Sequence, residues 1–347
     1  MAKITVAGAG SWGTALAILL FNNGHEVSIW STLTAEVEML REKREHASKL
    51  PGVKIPEGIE ITDDLPSVLE DPDLVVLAVP SPFTRSTSKM MKEYVNKDQL
   101  IVNVAKGIEE TTLMTLSEII EEEIPQARVA VLSGPSHAEE VGRGLPTTVV
   151  VGATDKKTAD YIRDLFMSPV FRVYTSPDIL GIELGGSLKN VIALAAGTAD
   201  GLGCGDNTKA ALITRGIHEI KNLGLAMGAL PETLTGLSGV GDLIVTCASV
   251  HSRNRKAGYL IGQGYTMQEA MDEVKMVVEG VYSAKAALSL SEKYHVDMPI
   301  VVEVNKVLFD GKSAKDALND LMMRMKKDEV GEELWSHPIN RAKAPEK

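Results

Sequence analysis

The chain is poor in cysteine: its 347 residues contain two, Cys204 and Cys247. Two cysteines make no disulfide framework, and this pair does not stand at metal-ligand spacing, so no metal is expected. Their scarcity fits a reducing compartment, and a cytoplasmic setting is expected. Basic charge is in deficit as well. Lys and Arg number 36 against 47 Asp and Glu, a formal net charge of −11. That balance argues against a nucleic-acid partner or a basic membrane-binding face. It leaves room for an anionic small ligand, which needs only a local basic pocket. No uninterrupted apolar run approaches the ~20 residues that span a bilayer, so no membrane insertion is expected. The first apolar run is a strand broken by glycines, not a leader. Internal repeats, long low-complexity tracts, a G-x-S-x-G elbow and a P-loop lysine are missing too.

What is present is a composition of ordinary globular type, 44% hydrophobic and 24% charged, in a chain long enough for about two domains. The most informative stretch is the first. Residues 4–7 read as a short strand, Gly8-Ala9-Gly10-Ser11-Trp12-Gly13 follows at once, residues 14–21 read as an apolar helix, and residues 27–30 as a second strand. Strand, glycine turn, helix, strand is the first half of a dinucleotide-binding unit. Gly8 allows the tight turn, Gly10 lets the backbone approach a pyrophosphate, and Gly13 lets helix and strand pack closely. The helix N-terminus then offers free N–H groups and a positive dipole end to the phosphates. After the second strand stand Ser31 and Thr32, neither the acid that binds a ribose 2′-hydroxyl nor an arginine for a 2′-phosphate. With nothing negative in view, NAD or NADP is admitted, and NADP is somewhat favoured.

Further strands are expected at 59–61, 74–79, 100–104, 128–132, 147–151 and 171–174. Helices are expected between them at 65–69, 112–123 and 156–166. Alternation of this kind implies a mainly parallel sheet. From about residue 178 the pattern turns helical, over 178–200, 206–227, 252–262, 267–273, 280–293, 299–309 and 313–325, with residues 236–242 as a glycine-rich loop. The expected fold is therefore α/β: a Rossmann-type, doubly wound domain over residues 1–180, then an all-α domain over 181–335, with 336–347 as a flexible tail. In doubly wound sheets the site lies beyond the carboxyl ends of the strands, so the helical domain should cover that edge.

Lys189 sits in the middle of a helix that is apolar or small on most faces. Such a lysine must reach solvent, find a partner or move a proton, and burial lowers its pKa toward the range useful for proton transfer. Ala193, Ala196 and Asp200 share its helical face; they leave room for a ligand or for close helix packing. Lys106 stands just past a strand end. Asp242, among glycines, could orient a lysine or merely form a turn. Ser252-Arg253-Asn254-Arg255 offers groups suited to a phosphate or carboxylate, or else begins a helix with Ser252 as cap. The histidines have the plainer reading: His25, His46, His295 and His337 fall in turns or polar surroundings, and His137 and His218 have no triad or metal partners.

These residues carry a family resemblance. Gly8 to Ala15, Val104-Ala105-Lys106-Gly107-Ile108-Glu109, Leu132-Ser133-Gly134-Pro135-Ser136-His137-Ala138-Glu139-Glu140-Val141, Leu188-Lys189-Asn190-Val191-Ile192-Ala193, Gly239-Val240-Gly241-Asp242-Leu243 and Ser252-Arg253-Asn254 resemble, in order, segments of NAD(P)-dependent glycerol-3-phosphate dehydrogenases of the bacterial soluble type. The resemblance implies reversible, NAD(P)H-dependent reduction of dihydroxyacetone phosphate to sn-glycerol 3-phosphate for phospholipid synthesis. It implies catalytic roles for Lys189 (proton donor or acceptor), Lys106 and Asp242. It implies cofactor contacts from Gly8, Gly10, Ser11, Trp12, Gly13, Lys106, Ala138, Arg253, Val277 and Glu279, the last two on the adenine-ribose side. Substrate contacts would come from Lys106, Gly134, Ser136, Lys189, Asn190, Asp242, Ser252, Arg253 and Asn254. A homodimer would suit the apolar helices of the second domain. Two other readings share some of these features: a related dehydrogenase of 3-hydroxy or sugar acids, and a non-catalytic NAD(P)H sensor. Replacing Lys189 with Ala is expected to cut turnover by about 10²–10⁴-fold while fold and cofactor binding persist; near-normal turnover would remove it from the chemistry.

Overall fold

Eight strands form one sheet in the order β3-β2-β1-β4-β5-β6-β7-β8. They are β1 (Lys3–Ala7), β2 (Glu26–Trp30), β3 (Glu60–Thr62), β4 (Leu74–Leu77), β5 (Leu100–Asn103), β6 (Arg128–Ser133), β7 (Thr147–Ala153) and β8 (Phe171–Ser176). This is a computed structural model, and it describes residues 1–326, 328 and 329; the expected tail over 336–347 lies outside them. Neighbouring strands run parallel throughout except β6 and β7, which pair antiparallel with Ala130 opposite Ala153 and Ser133 opposite Val150. The link between those two holds one helical turn, Ala138–Val141, too little helix to lie across the sheet as a parallel crossover does. The strand order reverses between β1 and β4, the switch point at which doubly wound sheets bind their ligands.

The apolar runs read from the sequence are buried on both faces of this sheet. Ile4, Val6, Val27, Ile29, Val76 and Val102 pack in one core, and Ala7, Leu77, Ile101 and Val129 in another. The helix after the glycine turn, Ser11–Asn22, lies in the first of these. Two expected boundaries shift for local reasons. The strand expected over 74–79 ends at Leu77, two residues before the Pro80-Ser81-Pro82 turn. The helix expected from 112 begins at Leu116, because Leu113 has a positive φ of 61° and Thr115 forms a capping box with Glu118.

Beyond β8 the chain is helical, as expected, and it is organised around one helix, Ile179–Gly201. That helix is long and apolar enough to cross a membrane, but 83% of its most apolar window is buried inside the protein. Its strongest neighbour is the helix Arg253–Gly262, and the two meet through glycines. A β-carbon at Gly197 or Gly201 would collide with the carbonyl oxygens of Arg255 and Tyr259; one at Gly258 or Gly262 would collide with those of Leu194 and Thr198. The small residues on this face therefore serve close packing. At the other end Glu183, fully buried, accepts hydrogen bonds from the Ser117 backbone N–H (2.9 Å) and hydroxyl, fastening the helix to the start of Leu116–Glu123. Burial pushes this carboxyl up to about 7.

The expected loop over 236–242 is instead a π-helical turn, Leu237–Gly241, that runs into a helix, Asp242–Ala248. Glycine makes this possible: a β-carbon at Gly185 would stand 2.7 Å from the Ser238 carbonyl oxygen, so the turn rests directly on the long helix. Such wide turns are frequent at functional sites. Because the Gly258 contact is backbone on backbone, Gly258→Ala is expected to cost about 1–3 kcal/mol of stability, read as a lower midpoint in thermal or denaturant unfolding.

Candidate active site

The wide turn delivers Asp242 to the centre of the molecule. Its carboxylate, 1% exposed, lies between two lysines from different parts of the fold. Lys189 Nζ, from the long helix, is 2.5 Å from Oδ1, and Lys106 Nζ, from the segment after β5, is 2.6 Å from Oδ2. Lys189 also donates to the Thr246 hydroxyl (2.6 Å), and Lys106 to the Gly134 carbonyl (3.0 Å). Thr246 donates in turn to the Asp242 carbonyl (2.6 Å). The sequence reading passed over Thr246. Its only signal was a spacing of four residues from Asp242, which has meaning on a helix and none in the expected loop.

One carboxylate against two ammonium groups leaves positive charge at a largely buried place. Burial pulls Lys189 down to about 8; Asp242 opposes that pull and Lys106 adds to it. A lysine near 8 exchanges a proton at physiological pH, unlike one near its ordinary value.

The other expected contacts gather around this centre with unequal commitments. Gly134 has φ of 146°, and a β-carbon there would meet the Val149 backbone at 2.9 Å, so the turn after β6 requires glycine. Ser136 donates to the Gly134 carbonyl (3.0 Å), and Ala138 begins the single turn that follows. Asn190 accepts from Asn254 (2.9 Å), and Asn254 accepts from the Gly280 N–H (2.8 Å); these amides join three helices. Ser252, buried, caps the helix Arg253–Gly262 by accepting from the Arg255 N–H (3.2 Å). Arg255 pairs with Asp200 (2.7 Å) and is thereby taken from the ligand-binding set. Arg253 donates to the Val277 carbonyl (3.1 Å) from the first turn of its helix, where the dipole also favours an anion.

Glu279 is clasped to Ser81, accepting from its backbone N–H (3.1 Å) and its hydroxyl. This places it beside the segment after β4, two strands from Ser31 at the end of β2. Burial raises its carboxyl above the ordinary range.

The glycine turn fits a dinucleotide. Gly8 has φ of 126°, and a β-carbon there would stand 2.7 Å from the Ala78 carbonyl carbon. Gly13 is pressed against the Gly8 carbonyl, while a β-carbon on Gly10 would meet nothing within 4 Å. Two glycines thus close the turn and the third leaves its backbone open to a ligand. No side chain caps the helix Ser11–Asn22, so the first-turn N–H groups of Ser11, Trp12 and Gly13 face outward for a pyrophosphate.

The pH dependence follows from Lys189. Acting as a proton donor it must be charged, so kcat for reduction should fall as pH rises through about 8. Acting as an acceptor it must be neutral, so kcat for the reverse oxidation should rise through the same region. Initial rates in both directions across that range test the pair of limbs.

Two family models cover most of the chain. The N-terminus of NAD-dependent glycerol-3-phosphate dehydrogenase matches residues 3–159, and the C-terminus of the same family matches residues 178–319. A glycerol-3-phosphate dehydrogenase (NAD(P)+) of Agathobacter rectalis is 66% identical over 96% of this chain and 100% of its own length. One from Fusobacterium nucleatum is 59% identical over 95% of this chain and 99% of its own. Among solved structures, the glycerol-3-phosphate dehydrogenase of Coxiella burnetii superposes with a TM-score of 0.90 at 35% identity, covering 93% of this chain and 99% of that one. A putative 2-dehydropantoate 2-reductase from Enterococcus faecalis, at 17% identity, shares the fold alone, with a TM-score of 0.50. With both halves matched and relatives this similar along their whole length, the chain belongs to the NAD-dependent glycerol-3-phosphate dehydrogenase family.

Proposed function

We propose that the Lys189–Asp242–Lys106 cluster is the catalytic centre of a reversible reduction of dihydroxyacetone phosphate. As a member of its family the chain is an NAD(P)-dependent oxidoreductase, and the product of the reduction is sn-glycerol 3-phosphate, a precursor of glycerophospholipids. The observation that carries the assignment is the buried Lys189, held at 2.5 Å from Asp242 with its pKa drawn down to about 8.

The chemistry needs three things of the protein. The ketone must be positioned, the negative charge that develops on its oxygen must be met, and a proton must be delivered there. When bound, the nicotinamide supplies the hydride. Lys189 gives its proton to the carbonyl oxygen and takes it back in the reverse direction. Lys106 holds positive charge beside the same oxygen. Asp242 keeps both ammonium groups in register, and Thr246 fixes the direction of Lys189. Asn190, Gly134 and Ser136 line the substrate; Arg253, with Ser252 and Asn254 at its helix start, grips the phosphate. Binding that remote phosphate orients the carbonyl.

Ser11, Trp12 and the glycines of the turn hold the pyrophosphate, with Lys106, Ala138, Arg253, Val277 and Glu279 toward the rest of the dinucleotide. The proposal takes residues 1–180 as the cofactor domain and 181–335 as the substrate domain. It extends to a homodimer through the apolar helices and to a cytoplasmic setting; light scattering on the purified chain tests the stoichiometry. The acid dehydrogenase and the sensor are not favoured. A sensor has no use for two lysines converging on one carboxylate.

The test is an initial-rate assay with dihydroxyacetone phosphate and reduced dinucleotide. Arg253→Ala should raise the Michaelis constant for the ketone phosphate about tenfold or more, as loss of a charge-assisted hydrogen bond does, with a smaller change in kcat. A loss confined to kcat would place Arg253 elsewhere.

A further inference from the structure

The end of β2 is not neutral. Ser31 is buried, and its hydroxyl donates to Glu36 Oε2 at 2.7 Å. Glu36 enters from the first turn of the helix Thr34–Lys43, five residues beyond Ser31, and its carboxylate is 11% exposed. The other carboxylate oxygen, Oε1, receives Lys49 Nζ (2.5 Å) and faces His46 Nε2 (3.0 Å). His46 is itself 2% exposed, and its surroundings are polar, as expected: Glu36 on one ring nitrogen and Ser48 near the other. Three donors hold this carboxyl as an anion and draw it down to about 2, against the opposing effect of burial.

The position of this cluster matters because of what it adjoins. The Gly8 N–H donates to the Trp30 carbonyl (2.9 Å), so the glycine turn and the end of β2 are joined by a backbone hydrogen bond. In this fold the residues just past that strand meet the ribose 2′ position of the cofactor. Here Ser31 spends its proton on Glu36 and accepts from the Leu33 N–H (3.3 Å); its hydroxyl oxygen has one lone pair left to accept from a 2′-hydroxyl and no proton to donate to a phosphate. Lys49, a cation at this edge, is bound to Glu36 (2.5 Å). Arg41 of the same helix, exposed, donates its Nε to the Ile61 carbonyl (2.6 Å) and interacts electrostatically with Asp63. Asp63, accepting from Thr34 (2.8 Å), adds a second negative group at this edge. A 2′-phosphate would have to take its donors from a carboxylate that stays charged.

We infer that Glu36, acting through Ser31, is a specificity-determining residue that makes the enzyme select NADH over NADPH. The inference rests on the dinucleotide reading of Gly8–Gly13. It deepens that reading by naming the cofactor class, and it reverses the lean toward NADP drawn from Ser31 and Thr32 alone.

Calorimetric titration of the full chain with NADH and NADPH tests it without turnover, and initial rates with each cofactor run alongside. The native protein should bind NADH at least about tenfold more tightly, the size of one lost charged interaction. Glu36→Gln keeps the shape and the hydrogen-bond acceptor while removing the charge. It should shrink the NADPH:NADH ratio of dissociation constants about tenfold, chiefly by improving NADPH. Glu42→Gln, an exposed carboxylate on the same helix, should leave the ratio where it stands. A native preference for NADPH, an unmoved ratio in Glu36→Gln, or an equal shift in Glu42→Gln would each overturn the inference while leaving the cofactor site intact. Failure of both dinucleotides to bind would instead overturn the dinucleotide site, and this inference with it.

Discussion

Everything in the candidate active site depends on one carboxylate shared by two lysines. Without Asp242, Lys189 and Lys106 would be like charges in a nearly dry interior, and one of them would have to lose its proton or leave. With it, both stay, and the balance of burial against attraction leaves Lys189 near 8. The fold supplies the three groups from three places: the end of a parallel strand, the middle of a buried helix, and the mouth of a wide helical turn. Their meeting depends on Gly185, which lets that turn lie on the long helix.

The layers around this point are ordinary in their physics. Apolar strands bury both faces of the sheet, whose order reverses between β1 and β4. The helical half closes it with ties that are polar and specific: Glu183 to Ser117 at one end of the long helix, Glu279 to Ser81 at another part of the rim. These ties use carboxyls that burial raises above the ordinary range, hydrogen-bonded by neutral serine donors.

Much of this was legible beforehand where one local rule sufficed. Helices Lys156–Phe166, Asp206–Met227 and Pro299–Phe309 begin and end where periodicity and punctuation place them. The glycine turn was readable because each glycine answers a separate steric demand. Lys189 stood out as a charge on an apolar helix. What escaped needed contacts between distant parts of the chain. Glu279 and Ser81 are 198 residues apart. The antiparallel turn of β7 depends on how little helix precedes it. Glu36 was overlooked because the usual acid stands at the strand end, and here it arrives by way of a serine and a helix start. The π turn was missed because glycine density reads as loop unless the surface it packs on is known.

The glycine seam between the helices Ile179–Gly201 and Arg253–Gly262 also sets a tolerance. One helix carries Lys189 and Asn190; the other begins with Arg253 and Asn254. Most helix pairs are kept apart by side chains, whose rotamers let the separation drift by fractions of an ångström. Here carbonyl oxygens rest against glycine α-carbons, so the interval between the two backbones that carry Lys189 and Arg253 is held by main-chain van der Waals contact. The distance from the reacting carbon to the phosphate is fixed by covalent bonds in the substrate. At the proposed site the helix backbones offer a spacing with little give, and only the lysine and arginine side chains are left to adjust to the ligand.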